Sequence, residues 1–135
     1  MRAMRFSLAA LALLFASAPA HAEDPHVTQG WETYNQYCAA CHGVTGDGNG
    51  PAAEALTPRP ADLRRIAARR GGVFPDAAIV MRIDGRDPIK AHGTSDMPVW
   101  GKAFRSEAEL QQGSETAVRG KILVLVEYLK SLQIK

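Results

Sequence analysis

Apolar residues recur at helical spacing in two stretches of the chain, one on each side of a long irregular middle. Val27, Trp31, Tyr34 and Cys38 return every three to four residues, the repeat of one face of an α-helix. Asp24 can cap that helix, and Pro25 suits its first turn because the missing amide hydrogen would find no partner there. The pattern predicts a helix from Pro25 to about Ala40. Toward the other end Ser114 can cap a second helix, in which Val118, Ile122, Leu125, Val126, Leu129 and Leu132 form an apolar stripe. Lys130 lies inside that run, so the helix reads as amphipathic rather than membrane-spanning. Between the two, residues 43–60 contain Gly43, Gly46, Gly48, Gly50, Pro51, Pro58 and Pro60, a density that excludes long regular elements. Short helices are predicted from Pro60 or Asp62 to Arg70, stopped by Gly71 and Gly72, and from Asp76 to about Ile83, stopped by Gly85. A second irregular segment should run from Asp87 to Gly101, followed by one or two turns opened by the capping pair Ser106 and Glu109 and ended at Gly113. No alternation of strand type and no internal repeat is present. The fold class is all-α, with long loops.

The start of the chain has a different character. Arg2 and Arg5 precede an apolar stretch from Phe6 to Ala18, Pro19 breaks it, and Ala20-His21-Ala22 supplies a small-x-small pattern. This is the layout of a cleavable export signal, so residues 1–22 are expected to be a signal peptide and residues 23–135 one working domain. An exported chain points to an oxidising compartment, here the bacterial periplasm. The full chain carries 16 Lys and Arg against 14 Asp and Glu. Both surplus cations sit in the leader, and a neutral domain offers no electrostatic case for nucleic acid. Along the chain the balance is uneven: residues 23–58 hold five acids and no Lys or Arg, whereas 59–105 hold ten bases and five acids. Arg64, Arg65, Arg69 and Arg70 are therefore candidates for a basic face that steers an acidic partner or offsets other anionic groups, or simply for a solvated surface.

Two cysteines are too few for a multi-bridge scaffold, so their local spacing decides their role. In Cys38-Ala39-Ala40-Cys41-His42 helical geometry puts both thiols and the imidazole on one face. Thiols one turn apart can form thioether bonds to the two vinyl groups of a haem, and the adjoining imidazole can then ligate its iron: the c-type attachment pattern. The alternatives are weaker. A thioredoxin-like pair belongs after a strand in a βαβ unit, and a structural zinc needs four ligands, for which the domain offers only His26 and His92 beyond the motif. A porphyrin would also help complete a core that is short of bulky side chains, so the chain without haem is expected to be largely unfolded or molten.

With that motif in place, the chain resembles the class I monohaem cytochromes c over essentially all of Pro25 to Gln133. The resemblance implies that the first and last helices cross, through Gly30 and Tyr34 on one and Leu125 and Tyr128 on the other, with short helices and long loops wrapped around one covalently bound haem. Residues 42–52, His42-Gly43-Val44-Thr45-Gly46-Asp47-Gly48-Asn49-Gly50-Pro51-Ala52, are similar to the family's loop after the proximal His. There a Pro carbonyl accepts the imidazole Nδ1 hydrogen, and Pro51 is the match. The distal ligand implied is Met97 in Met97-Pro98, ahead of Met81, which sits in an apolar helical run and reads as core packing, and of His92 in the same loop. Trp100 either donates its indole N–H to a haem propionate or packs the haem pocket.

His and Met ligation would leave the iron six-coordinate, with no open position for a substrate. The expectation is a periplasmic one-electron carrier, not an enzyme, serving a respiratory or dehydrogenase chain as a monomer or as a small subunit. Its partners would be redox proteins: a donor dehydrogenase or cytochrome and an acceptor oxidase or reductase. The competing expectations are a haem enzyme or gas sensor with an open distal position, and a secreted thiol protein without haem.

Overall fold

The computed structural model describes residues 24–85, 100–111 and 114–134. The expected leader (1–22), His92 and Met97 lie outside the described residues. Asp24 accepts the His26 amide hydrogen at 2.9 Å and opens α1, Pro25–Tyr37. The expected helix to Ala40 is interrupted at Cys38, whose φ of −118° turns the chain into a separate one-turn helix α2, Ala39–His42. Two 3-10 turns, Leu63–Arg65 and Ala68–Arg70, stand where one short helix was expected. Asp62 caps the first of them through the Arg64 amide. The next helix, α3, covers Asp76–Asp84 and ends at Gly85 in the left-handed conformation, close to the expectation.

The fourth helix corrects the sequence expectation. α4 spans Trp100–Leu110, so Ser106 lies in its interior and caps nothing. Trp100 and Phe104 pack on Tyr37, with ring centroids 5.6 and 5.0 Å away, and this burial outweighs the local cap signal. The spacing Trp100, Phe104, Ala108 was the helical clue. Ser114 caps α5, Glu115–Ser131, through the Ala117 amide.

Among the described helices α1 and α5 share the most extensive contact, and Gly30 is the reason they come so close. A Cβ at residue 30 would overlap the Val124 carbonyl oxygen, lie 2.8 Å from the Val124 carbonyl carbon and 2.7 Å from Tyr128 Cβ. Only hydrogen fits there. Beside the crossing the rings of Tyr34 and Tyr128 meet at 5.1 Å. Tyr34 (0% exposed), Leu125 (1%) and Phe104 (2%) anchor the core, joined by Ile83, Val118, Ile122, Val126 and Leu129. Met81 is not in it: at 44% exposure it points away from the face that Ile79, Val80 and Ile83 present.

α4 is tied down on two sides. Arg105 Nη1 donates to Asp84 Oδ1 at 2.8 Å, and that carboxylate occupies the space that a side chain at Gly101 would need. On the other side Glu107 Oε2 accepts from both the Tyr37 hydroxyl (2.7 Å) and Lys121 Nζ (2.9 Å). The Lys121 ammonium also lies over the Tyr37 and Phe104 rings. The regular elements among the described residues are all helices, with no strand. No helix among them is long and apolar enough to cross a membrane.

Candidate functional site

The kink at Cys38 places the two cysteines and His42 at the junction of α1 and α2. Cys38 still donates its amide to Tyr34 O (2.8 Å), and its own carbonyl accepts from Cys41 (3.1 Å) and His42 (2.9 Å). α2 is too short to satisfy its own last carbonyls, and the following loop satisfies them instead. The amides of Ala52, Gly50 and Gly48 donate in turn to Ala40, Cys41 and His42 at 2.9, 3.1 and 2.8 Å. The glycine-rich loop thereby turns back along the motif. Gly48, at φ +84°, needs both its backbone freedom and its lack of a side chain, since a Cβ would stand 2.6 Å from Pro60 O. Tyr34 fixes the same loop from below, its buried hydroxyl donating to Gly43 O at 2.5 Å. Burial holds that phenol protonated, well above its ordinary range.

Cys38 and Cys41 are both free thiols, Cys38 buried and Cys41 partly so. Burial, with Cys41 next to it, pushes the Cys38 thiol up to about 12. A redox dithiol works through a stabilised thiolate, so this environment disfavours the thioredoxin-like alternative. The His42 imidazole lies with Nδ1 3.0 Å from the Ala61 carbonyl oxygen. A carbonyl can only accept, so Nδ1 carries the hydrogen and Nε2 keeps its lone pair. Burial lowers the pKa of His42, opposed in part by the bond to Ala61, and so favours the neutral ring.

That contact corrects the assignment of Pro51. Pro51 is exposed and lies between two residues whose amides bond back to α2, whereas the acceptor for His42 comes from the next strap of chain, residues 60–67. A backbone carbonyl can come from any residue type, so Ala61 carries no signal in the sequence. Cys38, Cys41 and His42 are brought together as expected. Trp100 joins an aromatic group with Tyr37 and Phe104, its ring 6.1 Å from that of Phe104.

The four arginines do not share one fate. Arg64 is committed to Asp62, with Nε and Nη2 donating to its two carboxylate oxygens at 3.0 Å each. Arg69 donates to the Asp62 carbonyl, also at 3.0 Å. Arg59, Arg65, Arg69 and Arg70 are all exposed, within or close in sequence to the strap that carries Ala61.

The donor set fits a c-type haem. Two unbridged thiols one turn apart supply the thioether sulfurs, and a neutral imidazole with an occupied Nδ1 presents Nε2 to a metal. The comparisons agree with this chemistry. The family described as "Cytochrome C oxidase, cbb3-type, subunit III" matches residues 25–112, from the start of α1 to the end of α4. No curated protein and no solved structure matches the chain. The CxxCH motif at Cys38–His42, the all-α cytochrome c-like fold and this match identify a haem-based electron-transfer protein, and the chain belongs to the cbb3-type cytochrome c oxidase subunit III family of c-type cytochrome domains.

Proposed function

We propose that this chain is a periplasmic one-electron carrier with a single haem c, bound covalently through Cys38 and Cys41 and ligated by His42 and Met97. The observation that carries the reading is the His42 ring, whose Nδ1 hydrogen is committed to Ala61 O and whose Nε2 is left as the donor. The haem, when bound, supplies an iron that alternates between ferrous and ferric states. The chain holds that centre in one place. α2 and its loop fix the two sulfur positions, and the Ala61 carbonyl sets the tautomer and plane of the proximal ligand. A thioether from Met97 would favour the ferrous state and close the sixth position, so that electrons pass without a substrate binding site.

The export-signal pattern of residues 1–22 supports the periplasm, with those residues removed and 23–135 as the working domain. The family description supports a role as the small cytochrome subunit of a redox complex, and the proposed setting is a respiratory or dehydrogenase chain. The exposed Arg59, Arg65, Arg69 and Arg70 support docking of an acidic redox partner.

Mass spectrometry of protein matured with haem-attachment machinery tests the covalent cofactor: the expected mass is that of residues 23–135 plus one haem, and a mass without haem ends the reading. Optical spectra of the ferric protein test the distal ligand. A long-wavelength methionine-to-iron band that disappears in Met97→Ala is expected. Its absence from the wild type would favour the second reading, a haem enzyme or sensor with an open position.

A further inference from the structure

Gln133 lies two residues beyond α5, and its side chain is fully used. The carboxamide Nε2 donates to Leu63 O at 2.8 Å and to Leu129 O at 2.7 Å, while Oε1 accepts the Ala67 amide hydrogen at 2.8 Å. The next residue adds a backbone bond, Ile134 N–H to Arg64 O, at 2.9 Å. The strap is bonded to the glycine loop as well, Leu63 donating its amide to Gly46 O at 2.7 Å. The strap of residues 63–67 is thus held by both the glycine loop and the tail of α5. It begins two residues after Ala61, the residue whose carbonyl engages His42 Nδ1. Only a primary amide offers two donors and an acceptor in one group; a carboxylate would lack the donors and an ammonium the acceptor.

We propose that Gln133 is a positioning residue for the proximal ligand: it holds the 61–67 strap so that the Ala61 carbonyl stays on His42 Nδ1. The proposal rests on the reading that His42 ligates the haem iron. Its consequence is electronic as well as mechanical. An imidazole whose N–H is firmly bonded to a carbonyl donates more strongly through its other nitrogen and stabilises the ferric state. Loosening the strap should therefore expose the Nδ1 hydrogen to solvent and raise the midpoint potential.

The test uses the haem-loaded protein. Gln133→Met keeps the length of the side chain and removes all three hydrogen bonds; Ile122→Ala, in the α5 core, serves as a destabilised control that leaves the strap alone. The rate at which the His42 Nδ1 hydrogen exchanges with water is followed by NMR in the reduced protein, together with the midpoint potential and the melting temperature. Gln133→Met should speed exchange by about tenfold or more, as expected when several partly buried hydrogen bonds are lost from one local unit, and should shift the potential upward. Ile122→Ala should lower the melting temperature with both quantities near their wild-type values. If Gln133→Met behaves as Ile122→Ala does, the proposal is overturned. Should Gln133→Met not accumulate as haem protein, Gln133→Asn, which keeps the amide but shortens its reach, is expected to change both quantities in the same direction by less; an unchanged exchange rate would again overturn it. Failure of the underlying reading has a separate signature, a wild-type haem spectrum that survives His42→Ala unaltered.

Discussion

The same substitution, glycine to alanine, should have opposite effects at two helical positions of this protein. At Gly30 the added Cβ would sit 2.7 to 2.8 Å from Tyr128 Cβ and the Val124 carbonyl carbon, and closer still to the Val124 oxygen. Carbon atoms prefer a separation of about 3.5–4.0 Å, so α1 and α5 must part by about 1 Å. Tyr34, Leu125, Tyr128 and Leu129, all buried near this contact, each contribute about 1.5–3 kcal/mol through burial. A gap of about 0.5–1 Å forfeits roughly a quarter to a half of close contact, or about 1.5–6 kcal/mol across the four. Alanine's better helix propensity returns about 1 kcal/mol. The net expectation for Gly30→Ala is a loss of about 0.5–5 kcal/mol, which lowers the melting temperature by roughly 2–20 °C for a domain of this size. At Gly120, in α5, no atom beyond the helix's own neighbouring backbone lies within 4 Å of the added carbon. There Gly120→Ala should stabilise by about 0.5–1 kcal/mol. Thermal unfolding of the two haem-loaded variants, followed by far-ultraviolet circular dichroism, decides the matter. A Gly30→Ala protein as stable as wild type, or two shifts of the same sign, would refute the close-crossing argument.

Three further outcomes follow from the contacts around α4 and the basic strap. The hydrogen bond from Lys121, with a second from Tyr37, holds the Glu107 carboxyl below its ordinary value of 4.5. Its stabilisation is therefore present above that value and is lost as pH falls through the lower folded value; Glu107→Gln should cost about 1 kcal/mol at pH 7 and flatten the acid limb of a stability-against-pH curve. Asp84→Asn weakens the link from α3 to Arg105 and should cost about 1–3 kcal/mol in urea unfolding, less than a fully buried pair would, because the Arg105 side chain is 31% exposed. If the exposed arginines guide an acidic partner, electron-transfer rates should fall as ionic strength rises, and Arg65→Gln with Arg70→Gln should reduce that dependence; a flat salt response in the wild type removes the docking role.

The sequence by itself determined the parts whose signals are local. Cys38, Cys41 and His42 announced their chemistry through their spacing, and the caps Asp24 and Ser114 and the stops Gly71 and Gly85 lie where they were expected. Gly30 was legible because a glycine inside a helix asks for a reason. What tertiary structure decided was where backbone and packing prevail over residue type. The acceptor for His42 is a carbonyl, a group that every residue carries, and only the fold of the 60–67 strap selects Ala61 over Pro51. The start of α4 ignores a sound capping box because Trp100 and Phe104 find burial against Tyr37. Helix α1 breaks at Cys38, and the amides of Gly48, Gly50 and Ala52 take up the carbonyls of the separate short turn that follows. Gln133 gained its meaning only when the end of α5 met a loop about 70 residues away in sequence. Spacing within a helix is written in the chain; partners that meet across the fold depend on which surfaces close on one another.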